Sequence, residues 1–130
     1  MKNVLFFLGF AFFVIHEIDA MMHHEWLVIP LTVWIPQDYA MTLFVAAHIP
    51  LFLVMMVMLP TEFLSKIEKL QTAMATFIVI HGILHSAFMT HEQYEFDSFL
   101  SNLWIFGGTL ASAIFLIFQT GKGKVPSVPE

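Results

Sequence analysis

Four stretches of this chain are apolar almost without interruption, at residues 4–29, 40–59, 71–89 and 99–118. Each is close to the ~20 residues that a helix needs to cross a hydrocarbon core. Short polar or proline-bearing segments separate them, and Pro30, Pro36 and Pro60 punctuate their ends. Only helices and closed barrels satisfy backbone polar groups in lipid, and these runs are too long and continuous for barrel strands. The pattern predicts an all-α fold, a single transmembrane four-helix bundle over residues 1–118. A flexible tail with glycines and prolines would follow over 119–130. Pro50 falls inside the second helix and removes one backbone donor, which predicts a kink beside His48.

Composition strengthens the membrane reading. The chain has 130 residues, of which 58% are hydrophobic and only 12% charged. A soluble domain carries about 25% charged residues. The net charge of −5 is small and its acids are local, so no nucleic-acid partner is expected. There is no cysteine, which excludes disulfides, thiolate ligands and cysteine nucleophiles. Lys2 followed by an apolar run also resembles the start of a secretory signal with cleavage at Ala20. The preceding His-Glu-Ile-Asp is not the small, neutral sequence that cleavage needs, so the segment is read as a retained span.

The charges orient the bundle. All five basic residues are lysines: Lys2, Lys66, Lys69, Lys122 and Lys124. With four spans they fall on one side, which the positive-inside rule places in the cytoplasm. Both termini are therefore expected inside. The other side carries Glu25, Asp38, Glu92, Glu95 and Asp97, with Trp26, Trp34, Tyr39, Tyr94 and Trp104 as an interfacial belt.

Against this background the stretch HEIDAMMHHEW, residues 16–26, stands out. Thirteen uncharged residues precede it, and it holds three histidines, two glutamates and an aspartate. Depth follows from the rise of about 1.5 Å per residue. His16, Asp19, His48, His81 and His85 then occupy one layer, from the midplane into the outer leaflet, on three separate helices. His16, Asp19 and His23 share one stripe of the first helix, and His81 and His85, at i and i+4, share one stripe of the third. A charged group there costs roughly 2.5–3.5 kcal/mol on insertion scales, so it calls for a functional explanation. Imidazoles with a carboxylate suit zinc or iron, and a metal would use the lone pairs and neutralise the acid. The expected ligands are His16, Asp19, His48, His81 and His85, with His23 as a further one. Glu17, near the midplane, is a general base, a partner of a ligating histidine, or a pair for His24.

The bland reading of the layer is a hydrogen-bonded set that fixes helix packing. His23, His24 and Glu25 read best as a solvated helix end, and His91 and Glu92 as a solvated loop. The methionine pairs at 21–22 and 55–56 read as apolar filler rather than a copper site.

The segments LGFAFFVIHEIDAMMHHEW, FVAAHIPLF, IVIHGILH and FDSFLSNLWIFG resemble a family of small bacterial membrane proteins of unknown function. The likeness extends through about Gly108. More distantly, the chain is similar to the HXXEE family of four-helix membrane proteins, which is suspected of binding metal. His16 matches the first histidine of H-x-x-E-E, Asp19 stands at the first glutamate, and Ala20 replaces the second. His81 and His85 match the later H-x-x-x-H, while Phe44 leaves the N-x-x-x-H motif around His48 incomplete. The resemblance implies the bundle, a bacterial inner-membrane location and a metal site, but no established reaction.

Three functions follow as expectations. The first is an intramembrane metalloenzyme holding one zinc or iron by His16, His81, His85 and one of Asp19 or His48. Asp19 or Glu17 would act as base on a lipid-like substrate arriving from the outer leaflet. The second is a haem or redox-cofactor module using His48 with His81 or His85. The third is a structural or accessory subunit with no cofactor, as a homo-oligomer or within a larger membrane complex.

Overall fold

The structure is a computed structural model that describes residues 2–30, 32, 34–57 and 64–121. Four helices, α1 (Lys2–Met22), α2 (Gln37–Val57), α3 (Leu64–Phe88) and α4 (Phe99–Gly121), make up the fold, with one 3-10 turn (Glu25–Leu27) after α1. Among the described residues there is no strand. Each helix is long and apolar enough to cross a membrane. The expected tail beyond residue 121, with Lys122 and Lys124, and the expected boundary at Pro60 lie outside the described residues.

The helices alternate in direction. Lys2 Nζ, at the start of α1, donates to Glu68 of α3 at 3.1 Å and to Gln119 of α4 at 2.5 Å. One end of the bundle is thereby tied together through a single ammonium. At the other end His24 meets Glu95 of the α3–α4 connection at 2.9 Å.

Packing follows residue size. Gly9 and Gly108 let α1 and α4 approach: a Cβ at Gly108 would sit 3.3 Å from the Gly9 carbonyl oxygen and 3.2 Å from Phe12 Cβ. Small residues bring membrane helices together in this way, because lipid offers them no hydrophobic drive to associate. Phe6, Phe13, Met55, Met74, Ala75, Ile78 and Phe115 form one core cluster, which reaches the histidines through Phe13, 5.5 Å from the His81 ring. A second cluster, with Ala20, Trp26, Ala40, Phe44, Phe96 and Ile105, fills the other end. Trp26, expected in an interfacial belt, is buried there against Phe44. Helix α4 packs against both α1 and α3, whereas α2 leans chiefly on the 3-10 turn. The helix α2 continues through Pro50.

The first apolar stretch does not form one helix to residue 29. It ends at Met22, and His24 adopts a left-handed backbone with φ 49°. A non-glycine residue rarely takes that conformation. Here it reverses the chain and sends Glu25 back into the bundle, where it is 4% exposed.

Candidate metal centre

Two helices and one reversed turn build the site. His16 comes from α1, and His81 and His85 come from adjacent turns of α3. Glu25 comes from the 3-10 turn. Their ligand atoms all lie within 4.8 Å of one another, so the four could hold a metal ion. His81 Nε2 is 2.8 Å from His16 Nε2 and 3.1 Å from His85 Nε2. The Glu25 carboxylate lies 3.3 Å from His85 Nε2 and 3.8 Å from both His16 and His81 Nε2. Ligands about 2.0–2.1 Å from a tetrahedral zinc would be separated by about 3.3 Å, close to this spacing.

Hydrogen bonding alone does not account for the arrangement. A neutral imidazole nitrogen carries either one proton or one lone pair. His81 Nε2 has two such nitrogens within contact distance, and it can serve only one of them well. A cation between the three lone pairs would serve all of them. The same ion would compensate the buried carboxylate, whose Oε2 has no hydrogen-bond partner. His16 Nδ1 is also buried without a partner.

The surroundings orient these rings. Tyr94 lies with its hydroxyl 3.2 Å from His85 Nδ1. If Nε2 faces a metal, Nδ1–H donates to that oxygen, which fixes tautomer and ring plane. Burial pushes the Tyr94 phenol up to about 12, and the Glu25 and Asp97 carboxylates add to the shift, so the hydroxyl keeps its proton. Phe96, fully buried, packs its ring 5.5 Å from His16 and 5.0 Å from His85. It caps the cluster on the side of the α3–α4 connection. Asn102 holds the strap that carries it, donating to the Phe96 carbonyl at 3.0 Å and the Ser98 carbonyl at 2.9 Å. The Ser98 hydroxyl accepts from Ser101 N–H at 2.9 Å and so caps α4.

The chain belongs to the DUF6713 family, a family of unknown function. Its model matches residues 2–122. Neither the curated proteins nor the solved structures contain a match to the chain.

In this DUF6713 chain the other expected site residues take different places. His48 does not join the cluster. Its Nδ1–H donates to the Phe44 carbonyl at 2.8 Å, and its Nε2 faces Glu17 Oε2 at 2.7 Å. Nδ1 therefore holds a proton of its own, and a second proton lies between Nε2 and Glu17. The two form a buried proton-sharing dyad. Of the three roles open to Glu17 in the sequence, the geometry brings it to His48 and not to His24.

Asp19 and His23 pair with each other, Oδ1 to Nδ1 at 3.2 Å, and His23 Nδ1 also meets the Asp19 carbonyl at 2.8 Å. Neither is among the converging ligand atoms. Glu25 stands where Asp19 or His48 was expected, and this corrects its reading as part of a solvated helix end. A helix continued through residue 25 would have put it nine residues from His16, on the opposite face and about 13.5 Å away. Only the left-handed turn at His24 removes that separation, and no residue in His23-His24-Glu25 signals it, since glycine is the usual marker.

A cavity of about 480 Å³ opens beside the cluster between α2 and α3. Glu17, Glu25, His48, His81 and His85 all line it, His48 from α2 and His81 and His85 from α3, and its remaining walls are almost entirely apolar. Metal cluster and dyad thus face one chamber.

Proposed function

We propose that this protein is an integral membrane metalloenzyme. In this reading His16, His81, His85 and Glu25 hold one divalent transition metal, and the cavity admits a lipid-like substrate. The observation that carries the reading is the convergence of three imidazole Nε2 atoms and one carboxylate at ligand spacing in an apolar bundle. The donors are nitrogen and oxygen with no sulfur, which favours zinc or iron over cuprous copper. The likeness of His16 and of the HxxxH pair His81 and His85 to the motifs of the HXXEE proteins supports the three histidine ligands. The lysine distribution supports a bacterial inner-membrane location with both termini in the cytoplasm.

A bound ion of this kind supplies Lewis acidity and an acidified water. The remaining chemistry belongs to the chain. Glu17 and His48 hold a proton at the cavity wall, 2.7 Å between heavy atoms, and can deliver or accept it. Phe96 keeps outer water from the imidazoles. Glu25, His81 and His85 line the chamber, so a ligand within it reaches the centre. A haem held by His48 with His81 or His85 is less well supported, because His48 Nε2 is engaged by Glu17 at 2.7 Å and its Nδ1 by the Phe44 carbonyl.

The test is turnover of lipid. Purified protein loaded with zinc or with iron(II) is incubated with total bacterial lipid, and products are followed by mass spectrometry. The reading expects a product that disappears after chelation and in His48→Ala. Identical lipid profiles from loaded and chelated protein would contradict it.

A further inference from the structure

A second cavity, of about 400 Å³, lies along the same α2–α3 seam. Every described residue lining it is apolar, and two of them, Leu51 and Phe77, also line the first cavity. Leu51 follows His48 by three residues on α2, and Phe77 precedes His81 by four on α3. The helices run in opposite directions, so both side chains are displaced toward the same end, one turn below the polar groups. The Phe77 ring lies 5.9 Å from that of His81 and stands edge-on to Phe13 at 5.5 Å. These two side chains lie between a chamber that carries polar groups and a chamber that has none among the described residues.

The shape and chemistry select an occupant. The first chamber has the size of a small-ligand site, about 300–1,000 Å³, well short of a two-chain lipid. Its polar groups lie in one layer, with Leu51 and Phe77 on one side of it and Leu43, Phe44 and Phe88 toward the other, which suits an amphiphile whose single chain leaves a small head at that layer. Two carboxylates line that layer, and among the described residues no lysine lines either chamber. An uncharged head needs no cationic partner from the chain and can hydrogen-bond to the Glu17–His48 pair.

We propose that the seam binds a single linear alkyl chain with a small uncharged head, and that Leu51 and Phe77 determine its length. The head lies at Glu25 and His48, and the chain runs toward Phe77. This deepens the lipid-substrate reading and rests on it. Shortening Phe77 joins the chambers, and enlarging Leu51 shortens the first.

The experiment uses the full purified chain and a series of linear alcohols from octanol to octadecanol, titrated by native mass spectrometry. Metal content is measured on the same samples. In the wild type, affinity should rise about fourfold per methylene until the first chamber is full, then level off. In Phe77→Ala the rise should continue for several further methylenes, and in Leu51→Trp it should stop earlier. A break at one length in all three proteins, or no saturable binding of any alcohol, overturns the proposal. A break that moves in protein devoid of metal keeps the chain site and sinks the metal centre. A fixed break in metal-replete protein does the reverse.

Discussion

His16 on α1 and His81 on α3 point their Nε2 atoms at each other across 2.8 Å, and His85 adds a third Nε2 at 3.1 Å from His81. Three like atoms do not gather at one point in a core without something to share. The Glu25 carboxylate closes the group from a turn that has to adopt a left-handed residue to deliver it. The strain at His24 and the buried charge on Glu25 both have a purpose if a cation belongs between these atoms.

Asp19 and Glu25 are distinguished by substitution. Glu25→Gln should lose the metal, because an amide oxygen is a weak ligand and carries no compensating charge. Asp19→Asn should keep it, since that carboxylate pairs with His23. Metal content of both variants by plasma mass spectrometry checks the contrast.

Tyr94→Phe should retain the metal but bind it about 10–100-fold more weakly, as loss of a hydrogen bond to a ligating histidine does. Competition with a chromophoric chelator measures this. The same residue predicts an alkaline effect. Its pKa is raised from 10.0 to about 12 in the folded chain, so the unfolded chain ionises first. The stability it contributes is complete below about pH 10 and is lost as pH rises toward 12. Denaturation across that range should show a steeper alkaline decline in the wild type than in Tyr94→Phe.

The Glu17–His48 dyad makes a separable prediction. Glu17→Ala leaves His48 Nε2 buried without its partner and should cost about 1–3 kcal/mol. Glu17→Gln, which can still donate to that nitrogen, should cost less. A double-mutant cycle with His48→Ala in detergent unfolding should show coupling of about 0.5–3 kcal/mol, and additive effects would contradict the pairing.

Gly82 tests the α3–α4 contact behind the site. A Cβ there would meet Thr109 Oγ1, with Thr109 Cβ at 2.9 Å and Cγ2 at 3.0 Å. Thr109 cannot readily turn aside, because its hydroxyl donates to the Ile105 carbonyl at 2.7 Å. Gly82→Ala should therefore destabilise, by about 1–3 kcal/mol of overpacking against about 1 kcal/mol regained in helix propensity. Adding Thr109→Ala should recover part of the loss in thermal unfolding.

Much of this architecture was legible in the sequence. Long apolar runs with prolines at their ends are close to sufficient for four helices, because lipid leaves few alternatives for the backbone. His16, His81 and His85 were legible for a related reason: within a helix, spacing fixes both face and depth. Glu25 was not, since its place depends on one backbone torsion at His24. Tyr94 and Phe96 were not either. They reach the cluster from a connection whose path is set by the Asn102 hydrogen bonds, and no periodicity encodes such a path. His48 lines the same chamber as the cluster, yet its partner is Glu17, on a flank of α1 that spacing alone could not rank above the Asp19 stripe.

The most direct measurement is the metal content of the detergent-purified chain beside its His81→Ala and Glu25→Gln variants. The account predicts a stoichiometric first-row metal, zinc or iron, in the wild type and its loss in both variants while each remains folded. A wild-type chain that binds no such metal after loading, or variants that hold it as well as the wild type, would contradict the centre described here.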